Sequence, residues 1–229
     1  MNICIIPARG GSKRIPRKNI KQFCGKPMIA WSIEAAIKSN CFGRIICSSD
    51  DEEIAAVARE YGAEAPFLRP AKLADDYTAI IPVIKHAIEY LQQENVPIDL
   101  VCCIYATAPF MLQEDIQQGL EKIIKNDADY CFTVTSYPYP IQRSIRITKD
   151  NRCEMFQPDL FEKRSQDLEE AYHDAGQFYW GKTKAWLEGN TLFSNRSIPH
   201  ILPSCRVQDV DTVEDWEKAE LMYSSLNSS

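Results

Sequence analysis

Apolar residues along the chain fall into short blocks whose spacing switches between the period of a strand and the period of a helix. Asn2–Pro7 (NICIIP) is a compact apolar run that stops at a Gly/Ser/Lys/Arg stretch, the pattern of a buried strand entering a loop. Residues 28–37 then carry apolar side chains at helical spacing. The exchange recurs: strands are predicted at Arg44–Ser48, 63–68, 100–105 and 130–135, and helices at 51–61, 78–92 and Gln113–Lys125. Strand and helix keep trading places, which predicts an α/β fold with a largely parallel sheet flanked by helices. Ligands of such sheets bind at the carboxyl ends of the strands. The polar segments that directly follow three of the strands, the basic stretch after Pro7, Ser48-Ser49-Asp50 and Ala106-Thr107-Ala108-Pro109, therefore converge on one edge.

From residue 136 to 193 the pattern breaks. SYPYPIQRSI holds two prolines and is followed by a polar, charged tract. This range is predicted to be an insertion within one domain of residues 1–229, covering the site or pairing with another subunit. Gln177 and Tyr179 alternate on a predicted strand inside it, so both face one way, toward a ligand or toward the core. The chain closes on a short strand-like segment, 207–211, and a helix at 213–223, and the serine-rich tail SSLNSS should fray.

With 229 residues, 45% hydrophobic and 25% charged, the composition is that of an ordinary globular protein with one sizeable core. No apolar run reaches the roughly 18 residues a membrane span needs, and no basic leader precedes the first strand, so a cytoplasmic protein without a membrane partner is expected. Nine scattered cysteines without CxxC spacing read as buried, reduced thiols. A net charge of −6 argues against nucleic acid as a partner. The distribution of that charge says more: no acidic residue precedes Glu34, whereas Arg9, Lys13, Arg14, Arg17, Lys18, Lys21 and Lys26 are all basic. An acidic protein with one concentrated basic segment suits a small polyanion such as a triphosphate.

The segment PARGGSKRIPRKN carries the candidate chemistry. Nucleotidyl transfer needs cations and backbone N–H groups around a polyphosphate whose leaving group gains negative charge. Gly10, Gly11 and Ser12 let the chain wrap closely around phosphates, Arg9 offers a forked guanidinium and Lys18 a compact point charge. The alternative is a solvated basic loop. Neither GxGxxG nor GxxxxGK[ST] is present, which disfavours a dinucleotide-dependent oxidoreductase and removes the P-loop reading. Asp209 and Asp211 alternate in their segment and point the same way, a pair suited to one Mg2+ completed by phosphate oxygens. Their alternative role is capping, because Thr212 with Asp215 resembles a capping box and Asp211 stands at the same helix start.

Pro7 to Asn19, Arg69-Pro70, Ala106 to Pro109 and Asp209-Val210-Asp211 together resemble the acylneuraminate cytidylyltransferases, the CMP-sialic acid synthetases, in order and over nearly the whole chain. The tract RSQDLEEAYHDAGQFYWG, 164–181, is most similar to the branch that activates pseudaminic acid. The resemblance implies a mixed, mainly parallel, seven-stranded sheet of nucleotide-diphospho-sugar transferase type and a small dimerisation insertion in a homodimer. It implies CTP as co-substrate, Mg2+, pyrophosphate release, and a product feeding a surface or flagellar glycan. By the same resemblance Arg9 and Lys18 hold the triphosphate, Ala8, Gly10, Ser12 and Asn19 line the nucleotide, Arg69 lies near the cytosine, and Asp209 and Asp211 bind the metal.

One departure bears on the acceptor sugar. Sialic acid synthetases usually carry glutamine where this chain has Tyr105, ahead of Ala106 and Thr107. A phenol offers one hydroxyl and an apolar face where an amide donates and accepts, so the sugar should differ from N-acetylneuraminic acid. His173, Gln177 and Tyr179 are further candidates for the sugar pocket, against packing or dimer contact. Asp76 and Thr78 are candidates for the nucleotide, against capping the helix that follows. Arg143, Arg146 and Arg164 are candidates for the sugar carboxylate, Arg164 being preferred. His86, Trp180 and Trp186 read as packed residues. Three readings stay open: CMP transfer to pseudaminic acid, the same transfer to N-acetylneuraminic or legionaminic acid, and a non-catalytic nucleotide-binding module.

Overall fold

A computed structural model describes residues 1–226. In chain order the elements are β1 (Asn2–Pro7), β2 (Gln22–Phe23), β3 (Lys26–Pro27), α1 (Met28–Ser39), β4 (Arg44–Ser48), α2 (Glu52–Glu60), α3 (Ile80–Gln93), β5 (Leu100–Ile104) and α4 (Gln113–Lys125). There follow β6 (Tyr130–Ser136), β7 (Ile145–Ile147), β8 (Cys153–Met155), β9 (Tyr172–Lys182), α5 (Thr183–Glu188), β10 (Ser197–Ile201) and α6 (Val213–Leu226). Helix α6 runs through the first three residues of the serine-rich tail, and the last three lie outside the described residues.

Six strands form the main sheet in the order β10-β6-β9-β5-β1-β4. All neighbours are parallel except β9, which runs antiparallel to both β5 and β6. The sheet is thus mixed and mainly parallel. The strand period of two divides β1 between two cores: Cys4 and Ile6 pack with Ile29, Ile33, Ile54 and Ile116 of α1, α2 and α4, while Ile3 and Ile5 pack with Ile84, Ile88 and Trp186 of α3 and α5. Burial on both faces explains why β1 and β5 read as continuous apolar runs.

Two sequence expectations change. Residues 63–68 do not form a strand, which leaves six strands in the sheet among the described residues. They lie beside β4 through two isolated bridges, Ile46 with Glu64 and Ser49 with Leu68. Pro66 stands between those bridges without an N–H to donate, so the ladder is interrupted there.

The range 136–193 is divided. Residues 172–193 belong to the main body, because β9 fills the centre of the sheet and α5 packs behind it. A smaller lobe remains at 137–171, holding the β7–β8 hairpin and short 3₁₀ turns. The strand expected around Gln177 and Tyr179 is there, but it belongs to the main sheet and not to the insertion.

Candidate active site

The loop after β1 is held across the strand ends from three directions. The Ala8 N–H donates to the Ser48 carbonyl at 3.0 Å, the Gly10 N–H to Asp50 Oδ1 at 3.0 Å, and the Asn19 side-chain amide to the Arg9 carbonyl at 2.9 Å. A Cβ at position 10 would lie 2.8 Å from Asp51 Oδ2 and 3.1 Å from Asp51 Cβ, so any larger residue would push the Asp51 side chain aside. Asp51 caps α2 by accepting from the Glu53 and Ile54 N–H groups. Arg17, with left-handed backbone (φ 57°), reaches the same carboxylate at 3.1 Å and also pairs with Glu53. That hydrogen bond and charge hold the Asp51 carboxyl below its usual range, against the opposing effect of burial. One helix cap therefore anchors the basic loop, a role for Arg17 and Asp51 that their positions, 34 residues apart, do not announce.

The far end of the loop is fixed to the C-terminal helix. Ile15, Phe23 and Met28 pack with Phe110, Val210 and Trp216, and the Phe23 and Trp216 rings meet edge to face at 5.4 Å. This brings Lys18 to the carboxylates: its Nζ donates to the Val210 carbonyl at 2.7 Å and to Asp211 Oδ1 at 3.2 Å, while Arg14 Nη2 donates to Asp211 Oδ2 at 2.7 Å. The segment 207–211 is irregular, not a strand. Helix capping is performed by other residues. Asp215 Oδ2 accepts from the Asp211 and Thr212 N–H groups and from the Thr212 hydroxyl, and the Asp215 N–H returns a bond to Thr212 Oγ1.

The Asp211 side chain is thus turned into the cleft. Asp209 is not among the residues that line the cleft, and its carboxyl is pushed above the usual range by desolvation and then by Asp211, with Lys18 opposing. Two neighbouring carboxylates form an oxygen-only donor pair fit for a hard divalent cation. Among the described residues no three His, Cys, Asp or Glu side chains cluster as a metal site, so such a cation would take its remaining ligands from substrate and water.

The opposite wall comes from the segment before α3. Asp75, not Asp76, organises it: Asp75 Oδ1 accepts from the Tyr77 and Thr78 N–H groups and the Thr78 hydroxyl. Asp76 instead accepts from Arg9 Nη1 at 2.6 Å and from Lys13. Arg69 is buried, with its N–H on the Ser49 carbonyl at 2.7 Å and its guanidinium 3.6 Å from Asp50. Burial pulls its pKa down, opposed by Asp50. Its Nε is buried without a partner, the state of a donor that awaits an acceptor.

Together these walls enclose an open cleft of ≈ 370 Å³ lined by Arg9, Ser12, Lys18, Asn19, Arg69, Asp76, Thr78, Tyr105, Thr107 and Asp211. Gly10 and Gly11 form the loop backbone, with Ala8 buried beneath it. The remaining sugar candidates lie elsewhere. Tyr179 is buried behind Tyr105, ring centroids 5.4 Å apart. Gln177 is buried and donates to the Arg206 carbonyl at 2.6 Å. His173 stacks edge to face on Tyr137 at 4.9 Å. Arg164 sits in the 137–171 lobe, paired with Asp167 at 2.8 Å, and Arg143 and Arg146 also have partners within that lobe. His86 packs on Phe67, and Trp180 and Trp186 are fully buried.

The cytidylyltransferase family model matches residues 3–203. The pseudaminic acid cytidylyltransferase of Campylobacter jejuni is 50% identical over 228 residues, covering 100% of this chain and 98% of that protein. The CMP-N,N'-diacetyllegionaminic acid synthase of Legionella pneumophila is 34% identical over 225 residues, 95% of this chain and 94% of that one. In fold, the chain is similar to CMP:2-keto-3-deoxy-manno-octonic acid synthetase, solved in complex with CTP, with a TM-score of 0.70 at 15% identity over 98% of both chains. With the match spanning the sheet and the basic loop, this chain belongs to the cytidylyltransferase family.

Proposed function

We propose that this protein transfers CMP from CTP to the anomeric hydroxyl of pseudaminic acid, giving CMP-pseudaminic acid and pyrophosphate. The observation that carries the reading is 50% identity along the entire chain to an enzyme of that activity, and it is supported by a cleft lined by Arg9, Lys18 and Asp211. The anomeric oxygen forms a bond to the α-phosphorus, the bond from that phosphorus to the bridging oxygen breaks, pyrophosphate leaves with the electron pair, and the hydroxyl proton is released.

Arg9 and Lys18 hold the triphosphate and take up the charge that grows on the leaving group. Asn19 and the backbone around Gly10, Gly11 and Ser12 shape the loop around the nucleotide. Arg69 and Thr78 stand where the nucleoside would lie, while Asp76 occupies Arg9 and Lys13 until the triphosphate takes them. Tyr105 and Thr107 face the acceptor sugar. Asp209 and Asp211 would hold Mg2+, which when bound neutralises phosphate charge.

A homodimer formed through the 137–171 lobe is supported by the apolar residues that lobe leaves exposed: Ile145, Ile147, Phe156 and Phe161 are each more than half accessible. Light scattering that gives one chain's mass would count against it. Nine unpaired cysteines suit a reducing compartment, and the cytoplasm is the expected location. A surface or flagellar glycan is the expected destination of the product.

The direct test is pyrophosphate release with Mg2+, pairing CTP, ATP, GTP and UTP with pseudaminic, N-acetylneuraminic and legionaminic acids. Release that needs both CTP and pseudaminic acid is expected. Release with another acid keeps the reaction and changes the sugar, and CTP binding without release from any pair would mark a non-catalytic module.

A further inference from the structure

The polar run Ser48-Ser49-Asp50 begins at the last residue of β4, and the chemistry described so far uses none of its side chains. Asp51, the next residue, caps α2, so Asp50 is free of that duty. The run already ties the two walls of the cleft together through its backbone. The Ser48 carbonyl accepts the Ala8 N–H at 3.0 Å, and the Ser49 carbonyl accepts the Arg69 N–H at 2.7 Å.

Asp50 adds a link through its side chain. A single atom, Asp50 Oδ1, accepts from the Gly10 N–H at 3.0 Å and stands 3.6 Å from Arg69 Nη2. Gly10 lies in the basic loop between Arg9 and Ser12, which line the cleft, and Arg69 lines it from the opposite wall. The Arg69 side chain is only 4% exposed, and Asp50 is its one ion-pair partner among the described residues. A guanidinium so buried needs a counter-charge, and the place of that charge decides where the guanidinium points. The adjacent glycines 10 and 11 give the loop little stiffness of its own, so the acceptor of the Gly10 N–H helps to set its shape.

We propose that Asp50 is a positioning residue for the nucleotide: one carboxylate oxygen fixes the phosphate loop at Gly10 and the guanidinium of Arg69 on the nucleoside side, and so sets the spacing between the two halves of the site. This rests on the reading of the cleft as a CTP site, with the basic loop on the triphosphate and Arg69 beside the nucleoside.

The test is calorimetric binding of CTP to wild type, Asp50→Asn and Asp50→Ala, with cytidine and inorganic tripolyphosphate as separate competitors and a thermal melt of each protein. Asp50→Ala loses both contacts and should weaken CTP, cytidine and tripolyphosphate, each by about tenfold, the scale of one hydrogen bond to a charged group. Asp50→Asn keeps an oxygen for the Gly10 N–H and removes the charge beside Arg69. It should weaken cytidine by about the same factor and leave tripolyphosphate at least as tightly bound as in wild type. A purely structural role would lower the melting temperature and weaken both competitors of Asp50→Asn equally, which overturns the inference, as does wild-type affinity in Asp50→Ala. The near-isosteric Asp50→Asn serves alone if Asp50→Ala fails to fold. A wild type that binds no CTP, or on which cytidine does not compete, overturns the underlying reading of the cleft instead.

Discussion

Arg9 and Asp76 meet at 2.6 Å across the mouth of the cleft, from loops 67 residues apart in the chain, and Lys13 joins the same carboxylate. Hydrogen bonds from Lys13 and then Arg9 hold the Asp76 carboxyl below its usual range. A triphosphate that binds Arg9 must displace this carboxylate. Asp76→Asn is therefore expected to tighten CTP binding by about two- to fivefold at low salt, with the difference shrinking as salt screens the pair. Titration calorimetry at two ionic strengths checks this, and weaker binding by the variant would place Asp76 on the nucleotide itself.

Lys18 supports Asp211 and the Val210 carbonyl in the free protein and is well placed to exchange them for phosphate oxygens. Lys18→Ala or Arg9→Ala should lower the rate of pyrophosphate release by roughly a hundredfold, the usual cost of deleting one preorganised donor. Wild-type turnover by Lys18→Ala would remove the basic loop from the chemistry.

Asp211 and Asp215 are close in sequence and separable in function. Asp211→Ala and Asp209→Ala should shift the magnesium titration of activity to higher concentration. Asp215→Ala should leave that titration in place and cost about 1 kcal/mol of stability, through loss of the α6 cap. Thermal melts beside magnesium titrations of all three variants distinguish the outcomes, and an unchanged titration in both Asp209 and Asp211 variants would return the pair to a structural role.

Asp115 gives a pH prediction with a definite sign. Its carboxylate is buried between His200 Nε2 at 3.1 Å and Arg206 Nη2 at 3.1 Å. Desolvation pushes its pKa up, but the hydrogen bonds from His200 and Arg206 together prevail and bring it to about 2, from an ordinary 3.8. A depressed folded-state pKa contributes stability that is fully present above pH 4 and is lost as pH falls toward 2, about 2 kcal/mol in all. Urea unfolding between pH 5 and pH 2 should show this slope in wild type and a shallower one in Asp115→Asn. The variant should also be less stable at pH 7, by about 3 kcal/mol, because Arg206 loses its partner.

Legibility in the sequence followed the range of the interaction concerned. The strands at Asn2–Pro7 and Arg44–Ser48 and the helix at Gln113–Lys125 were readable to the residue, since local apolar period specifies them. The basic loop and the 209/211 carboxylates were readable because charge is conspicuous in sequence. What sets their geometry was not: the Arg17–Asp51 anchor, the Asp75 turn and the Asp50 link from Gly10 to Arg69 each depend on a choice of partner that no local pattern encodes. Strand β9 was partly legible, as alternation at Gln177 and Tyr179, but its place at the centre of the sheet is a fact of topology.

That central placement has a consequence for how the molecule is made. The β4-β1-β5 half of the sheet is assembled from the first 104 residues, and β6 pairs with β10 from the other end of the chain. Neither half shares a strand ladder with the other until β9, emerging late in synthesis, slides between β5 and β6 and closes both edges at once. Folding should accordingly proceed through a nascent N-terminal half with one open, apolar strand edge, slow to complete and prone to self-association, until residue 182 has left the ribosome.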